Sequence, residues 1–193
     1  MNNLIEQARF VCLDTETTGL SPACGGRICE VALLVSQAQK RVASYSTLVN
    51  PQVFIMPDVV KIHGITNEMV ATKPIFKEIA PKIREMLEGS VLICHNADFD
   101  TKFLRYEFEL LGQTMPECII LDTLKYARLH GNFSRNRLGI IAQELGLSSQ
   151  GWHRAMADTI MTEKIFYYFL LKFKETGAKT VADLFNLQER RCL

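Results

Sequence analysis

Apolar residues along the chain are grouped in two ways that indicate different secondary structures. Short, nearly continuous apolar runs predict buried strands at 9–15, 28–36, 41–49, 91–94 and 119–121. Apolar residues spaced three or four positions apart predict helices at 74–88, 97–111, 122–129, 138–145 and 154–173. Strands come first and then alternate with helices. We therefore expect an α/β protein with a mixed central β-sheet flanked by α-helices.

Polar segments and turn residues mark several boundaries of these elements. The second and third strands are separated by the segment QAQK, residues 37–40, which predicts an antiparallel hairpin. The helix at 74–88 has Ile75, Ile79 and Ile83 at helical spacing, and Gly89 follows its end.

Composition limits the class of protein. A chain of 193 residues that is 48% hydrophobic can bury a sizeable core, and we expect residues 1–193 to form a single domain. No apolar run is long enough to span a bilayer, and residues 1–9 lack the features of a signal peptide, so a cytoplasmic location with no membrane partner is expected. Cys12 and Cys94 lie in apolar strands and no CxxC pair is present, which favours reduced thiols over disulfides or zinc.

The segment LDTETTGL, residues 13–20, places two carboxylates at the predicted end of the first strand. Side chains two positions apart on a strand point to the same face, so Asp14 and Glu16 are expected to be neighbours. Two such charges about 5 to 6 Å apart repel by about 3 kcal/mol at an effective dielectric of about 20. This repulsion predicts that a positive group lies between them.

Two further segments carry acids where a strand meets a helix or where a helix begins. In HNADFD, residues 95–100, Asp98 is well placed to cap the first turn, whereas Asp100 is harder to explain as a cap and is the candidate functional acid. HRAMAD, residues 153–158, places His153 and Asp158 at the start of the last long helix. The structural alternative is an ordinary loop histidine followed by an acid in the first helical turn, where the helix dipole favours negative charge.

Four carboxylates brought together require compensation by cations. Two divalent cations would balance them and raise the formal net charge from +1 to about +5, which suits a polyanionic substrate. Hard oxygen ligands of this kind suit Mg²⁺ or Mn²⁺. Paired metal ions are typical of enzymes that catalyse in-line displacement at phosphorus.

The three motifs DTETTGL, HNADFD and HRAMAD, in this order, resemble those of the DEDDh family of 3′ to 5′ exonucleases. This family includes the proofreading epsilon subunit of bacterial DNA polymerase III, and KIHGITNEM, residues 61–69, is similar to a stretch found in such members. The resemblance covers about residues 10–171 and implies a ribonuclease H-like fold. Residues 172–193 would then form a short C-terminal helical extension.

The resemblance also implies roles for the acids and the histidine. Asp14, Glu16 and Asp158 would bind the first of two divalent cations, Mg²⁺ or Mn²⁺, and Asp14 would bridge to the second. Asp100 would act at the second cation, partly through water. His153 would be the general base that deprotonates the attacking water, a role that suits its ordinary pKa.

Substrate contacts implied by the same resemblance surround these acids. Leu20 would be an apolar wedge beside the terminal base, although a plain core leucine is the alternative. Backbone around Thr15 and Glu16 would recognise the 3′-hydroxyl group, and backbone N–H groups of Thr17 and Thr18 would lie near the 3′ end. The remaining candidates for this pocket are His63, Asn96 and Phe99.

Two other segments suggest contacts with partners. The loop HGNFSRNR, residues 130–137, together with Arg128, is basic and contains Phe133, so it could follow a phosphate backbone and stack a base, or it could be a solvated surface loop. The segment TVADLFNLQ, residues 180–188, loosely resembles a sliding-clamp motif, with a short amphipathic helix as the favoured alternative.

These features predict a metal-dependent 3′ to 5′ exonuclease that acts on the 3′ ends of single-stranded DNA and releases nucleoside 5′-monophosphates, in proofreading or repair. DNA polymerase III subunits or a sliding clamp would be its protein partners. An exoribonuclease for RNA trimming or turnover is the alternative within the family, although Thr17 stands where oligoribonucleases typically carry methionine. A phosphatase or a non-catalytic nucleic-acid-binding module of the same fold explains the set of acids less well.

Overall fold

The computed structural model describes residues 3–147 and 153–189 and contains a five-stranded sheet with the strand order β3-β2-β1-β4-β5. Strand β1 is antiparallel to β2 and parallel to β4, β2 is antiparallel to β3, and β4 is parallel to β5. The mixed sheet expected from the sequence is confirmed. The strands are β1 Arg9–Thr17, β2 Ile28–Gln37, β3 Lys40–Leu48, β4 Val91–Cys94 and β5 Ile119–Asp122.

Helices cover both faces of the sheet. They are α1 Pro57–His63, α2 Asn67–Val70, α3 Phe76–Leu87, α4 Ala97–Glu109, α5 Thr123–His130, α6 Leu138–Glu144, α7 Ala155–Glu175 and α8 Val181–Glu189. No helix was predicted for residues 50–73, where α1 and α2 occur. These helices are too short for a clear apolar period. Pro57 in the first turn and the left-handed backbone of Gly64 bound α1, and the Thr66 side chain caps the start of α2.

Side chains of β1 point alternately to the two faces of the sheet, and the core is accordingly divided into two layers. Val11 and Leu13 belong to the apolar cluster that contains α3 and α4. Phe10 and Cys12 face the cluster that contains α7, α5 and α8. Because successive strand residues point to opposite faces, one strand connects both layers and holds its two neighbours in a fixed position.

Strand β1 extends two residues further than the sequence predicted, to Thr17, so the acids lie within the strand and do not end it. The pairing of β1 with β2 runs from Arg9 to Thr17, whereas its pairing with β4 stops at Cys12. The acidic half of β1 therefore has a neighbouring strand on one side only. This asymmetry opens the sheet beside Asp14 and Glu16.

The hairpin between β2 and β3 forms as predicted, and Ala38 and Gln39 adopt positive φ angles at its turn. The cysteines of the described chain, at positions 12, 24, 29, 94 and 118, are free thiols, as expected for them. Among the helices of the described residues, none is long and apolar enough to cross a membrane.

Helix α8 packs against the edge strand β5. The side-chain amide of Gln188 donates to the carbonyl of Ile120 at 2.8 Å, and its oxygen accepts from the backbone N–H of Asp122 at 2.8 Å. Val181 and Leu184 form part of the buried face of α8. This segment thus covers an exposed sheet edge as an amphipathic helix, which was the favoured alternative to a clamp-binding motif.

Candidate active site

Three carboxylates converge beside the unpaired half of β1. Single oxygens of Asp14, Glu16 and Asp158 all lie within 4.8 Å of one another. Asp14 and Glu16 come from the same strand, and Asp158 comes from the first turn of α7. The structure therefore brings together the three acids that the sequence assigned to the first metal ion.

The fourth acid, Asp100, is held next to this group by Thr15. Asp100 Oδ1 accepts hydrogen bonds from the backbone N–H of Thr15 at 2.9 Å and from its hydroxyl at 2.7 Å. Asp100 is 3% exposed, whereas Asp98 is exposed on the same helix. Both hydrogen-bond donors of Thr15 thus support Asp100, and Thr15 itself is buried.

The prediction that Asp98 caps helix α4 is not what the structure shows. Asp122, at the end of β5, accepts from the backbone N–H groups of Asn96 at 2.9 Å and Ala97 at 3.2 Å, and from that of Leu124 at 2.8 Å. One carboxylate therefore serves the starts of α4 and α5. The position of Asp122 between a strand and a helix was the available signal, and it was missed.

Burial and mutual repulsion shift the acids toward their protonated forms. Burial, followed by the charges of Asp100 and Asp158, raises the pKa of Asp14 well above its ordinary value. Burial and then Asp158 raise the pKa of Glu16 to about 8. Burial also raises the pKa values of Asp100 and Asp158 to about 7. Without a compensating cation, these carboxyl groups cannot all be ionised at neutral pH.

One buried oxygen at this site lacks a protein partner. Oδ1 of Asp158 is buried and has no hydrogen-bond partner among the described residues. A buried acceptor of this kind is costly unless a donor or a cation satisfies it. Because the surrounding ligands are all carboxylate oxygens, the group fits a hard divalent cation. The acidic cluster can therefore hold a divalent metal ion.

His153 lies two residues before the first residue of α7 and is exposed, with a backbone φ of +66°. Positive φ is uncommon for residues other than glycine and is often found at functional sites. His153 lines the same cleft as Asp14 and Asp158. The structure thus places the proposed base beside the acids.

An ion pair between a buried glutamate and an exposed arginine, which the sequence analysis missed, positions the start of α7. Glu30, opposite Glu16 in the β1–β2 register, accepts from Arg154 Nη2 at 2.7 Å and from the backbone N–H of Ala155 at 3.0 Å. The pair connects β2 to the helix that carries Asp158. A charged residue inside the apolar run ICEV was its only sequence signal.

Asp14 and Asp158 line a cleft of about 800 Å³. Asn96 and Phe99 line this cleft, as the sequence resemblance implied. Three arginines lie in its wall, at positions 128, 135 and 137. The cleft therefore combines a site for cations with basic side chains that can bind an anionic chain.

The loop after β1 carries Leu20 at the surface. Leu20 is 83% exposed, which excludes the alternative of a core leucine. Lys102 Nζ donates to the carbonyl of Leu20 at 2.8 Å, and the hydroxyl of Thr17 donates to the carbonyl of Gly19 at 2.7 Å. The backbone N–H of Thr18 donates to the carbonyl of Arg27 at 2.9 Å, so that group is used within the loop and not by a 3′ end.

Two predicted contact residues are oriented toward the protein. His63 is 5% exposed, its Nδ1 accepts from the backbone N–H of Ile65 at 3.0 Å, and burial lowers its pKa. Phe133 packs on Tyr168 and Phe169, with ring centroids 6.3 Å from each. Phe133 is thus partly buried against the apolar cluster that contains α7, and its stacking on a base stays a prediction.

The fold and the acidic cluster are those of a nuclease family. Residues 11–166 match the sequence profile RNase_T, described as exonuclease, and the chain belongs to this family. Similar solved structures include Exonuclease X in complex with 5′ overhanging duplex DNA, with a TM-score of 0.70, 26% identity and coverage of 94% of this chain and 99% of that one. The nuclease domain of 3′hExo, a DEDDh family member bound to rAMP, shares the fold at a TM-score of 0.74 and 18% identity, over 87% of this chain and 94% of that one.

Sequence relatives include both a replicase subunit and larger proteins. The DNA polymerase III subunit epsilon of Haemophilus influenzae is 32% identical over 96% of this chain and 73% of its own length. The 3′-5′ exonuclease DinG of Bacillus subtilis is 31% identical over 96% of this chain and 20% of its own length. The PolC-type DNA polymerase III of Caldanaerobacter subterraneus is 35% identical over 92% of this chain and 13% of its own length.

This chain thus spans a fifth or less of DinG and PolC, and about three quarters of the epsilon subunit. The assignment to the exonuclease family that includes the epsilon subunits, made from three short motifs, is confirmed. The ribonuclease H-like fold is confirmed as well.

Proposed function

We propose that this protein is a divalent-metal-dependent 3′ to 5′ exonuclease that removes nucleoside 5′-monophosphates from the free 3′-hydroxyl end of single-stranded DNA. The observation that carries the proposal is the Asp14, Glu16 and Asp158 group with its unsatisfied buried oxygen, open to a basic cleft. Residues 1–193 would act as one exonuclease domain. Relatives that are replicase subunits support a role in proofreading or repair, with DNA polymerase III subunits or a sliding clamp as partners.

Each residue has a defined task in this proposal. Asp14, Glu16, Asp100 and Asp158 would hold two Mg²⁺ or Mn²⁺ ions, which when bound stabilise the charge on the phosphate and lower the pKa of water. Thr15 keeps Asp100 in place through its two hydrogen bonds. His153, exposed to the cleft, would accept the proton of the attacking water. The leaving group would be the 3′-oxygen of the preceding nucleotide.

End selection would depend on the loop after β1. Exposed Leu20, held by Lys102 at its carbonyl oxygen, would pack beside the terminal base, with Phe99 and Asn96 across the cleft. Backbone of β1 around Glu16 would receive the 3′-hydroxyl group. An internal phosphate would push the next sugar into this wall, so a closed circle should be a poor substrate.

Degradation of 5′-labelled single-stranded DNA, duplex DNA and RNA, with Mg²⁺ or with EDTA, tests the proposal. We expect stepwise shortening from the 3′ end only with metal, fastest on single-stranded DNA, and no cleavage of circular single-stranded DNA. Preferential degradation of RNA would instead favour the exoribonuclease alternative. Equal cleavage of circular and linear DNA would refute the end-dependent pocket.

Asp98 offers a matched control for the catalytic assignment. We expect Asp100→Asn to abolish cleavage, because it removes a charge from the acidic cluster, and Asp98→Asn to retain it, because Asp98 is exposed on the same helix. Loss of activity in both variants with intact folding would contradict the assignment of Asp100.

A further inference from the structure

Three arginines form one wall of the cleft, and we call them the arginine wall. Arg128 comes from α5, and Arg135 and Arg137 come from the segment between α5 and α6. All three side chains are exposed, and within residues 3–147 and 153–189 none forms an ion pair with a carboxylate. Their charges are therefore available to an external anion.

The segment that carries the wall is held in position from two sides. His95 Nε2 lies 3.0 Å from the carbonyl oxygen of Asn136, and Nδ1 lies 2.9 Å from the hydroxyl of Thr123. Because a carbonyl oxygen only accepts, Nε2 carries the proton in this contact. On the other side of Arg135, Ser134 donates through its backbone N–H and its hydroxyl to Glu144. Arg135 thus lies between two anchored neighbours.

The position of the wall relative to the acids indicates which part of a substrate it would meet. The wall belongs to α5 and the segment before α6, whose buried residues lie in one core layer, whereas Leu20 is bonded through its carbonyl to Lys102 of α4, which packs in the layer on the other face of β1. The acids of β1 lie between these two regions. If the terminal nucleotide lies near Leu20, the rest of the strand leaves the acids on the side of the wall.

We propose that Arg128, Arg135 and Arg137 bind the backbone phosphates of the nucleotides 5′ to the scissile bond, and that His95 is a positioning residue for this subsite. The ligand class is a single-stranded polynucleotide, bound through its phosphates independently of sequence. This inference rests on the proposed function. It assigns separate tasks to the two sides of the cleft: cleavage at the acids and retention of the strand at the wall.

Substrates with and without upstream phosphates separate these tasks. The p-nitrophenyl ester of thymidine 5′-monophosphate contains the scissile phosphodiester but no upstream phosphate. We expect the Arg128→Gln, Arg135→Gln and Arg137→Gln triple variant to hydrolyse this ester at the wild-type rate. Its KM for a dodecamer of deoxythymidine should rise at least about tenfold, with kcat little changed, because binding of the strand is weakened.

Salt dependence provides a second readout. Each phosphate contact on a single strand contributes about 0.7 to the slope of log affinity against log salt concentration, so the triple variant should lose about 2 from this slope. Fluorescence anisotropy with a 5′-labelled dodecamer measures the slope in an Asp158→Asn background, where cleavage is prevented. Arg105→Gln is the matched control, because Arg105 is an exposed arginine in a separate cavity.

His95→Gln tests the positioning role. We expect it to raise KM for the dodecamer and to leave hydrolysis of the ester unchanged, as in the triple variant. A triple variant with wild-type KM and salt slope would overturn the subsite. If the wild-type protein does not hydrolyse the ester with Mg²⁺ or Mn²⁺, the proposed function fails, whereas the anisotropy slopes still decide whether the wall binds phosphates.

Discussion

Replacement of Glu16 by glutamine should make the metal-free protein less sensitive to alkaline pH. Glu16 lies beside Asp158 and Glu30, and burial and these charges raise its pKa to about 8. As the pH rises through this value, Glu16 becomes ionised against its neighbours and the folded state is destabilised. Glutamine has a similar shape but no proton to lose, so the variant lacks this part of the pH dependence.

The expected magnitude follows from the proton that Glu16 holds in the folded protein. With a pKa of about 8 against an ordinary value of 4.5, Glu16 is about nine-tenths protonated at pH 7 and about one-tenth at pH 9. In the unfolded chain it is ionised at both values. Because the folded state binds more protons than the unfolded state, stability falls with rising pH. Integration over these two pH units gives a loss of about 1.4 kcal/mol in the free energy of unfolding.

Urea unfolding in EDTA at pH 7 and pH 9, followed by circular dichroism, measures this difference. The decrease in stability should be about 1.4 kcal/mol smaller for Glu16→Gln than for the wild-type protein. Glu117→Gln, which changes an exposed glutamate in the loop before β5, should behave as wild type. Equal pH dependence in Glu16→Gln and the wild-type protein would show that Glu16 is already ionised at pH 7, and would refute the reasoning.

Three further substitutions test other parts of the site. His153→Ala should lower turnover by about 10² to 10⁴ and flatten its pH profile, while the affinity for Mn²⁺, measured by calorimetry, is retained; a collapse of that affinity would make His153 a ligand. Glu30→Gln should lower the free energy of urea unfolding by about 1 to 2 kcal/mol and also lower turnover, because it removes the charged partner of Arg154 at the start of α7. An unfolding free energy equal to that of the wild-type protein would contradict this. Leu20→Ala should slow removal of 3′-terminal nucleotides several-fold without changing stability, and an unchanged rate would exclude the wedge.

Part of the site could be predicted because its residues are close in the chain. Asp14 and Glu16 share a strand, and the period of two places them together without any knowledge of the fold. The preference for Asp100 over Asp98 came from their different angles on one helix, and the structure buries Asp100 and exposes Asp98. Strand and helix positions followed in the same way from local apolar periods, with errors at the short helices α1 and α2.

Contacts between distant segments could not be obtained in this way. Asp122 reaches the start of α4 because β5 lies beside β4, and Glu30 reaches Arg154 across 124 positions because α7 crosses β2. Phe133 could not be distinguished from a surface aromatic until its packing on α7 was known. His95 gave no functional signal in the sequence, although it holds Asn136 beside the cleft.

The sequence by itself determined which residue types were available, the period of each element and the three acidic motifs that identify the family. The tertiary structure decided which of these residues meet. Strand order and the early end of the β1 pairing with β4 opened the sheet at Asp14 and Glu16, and α7 brought in Asp158. The physical reason is that periodicity depends on neighbours within a few positions, whereas convergence of charges depends on burial that many distant segments create together.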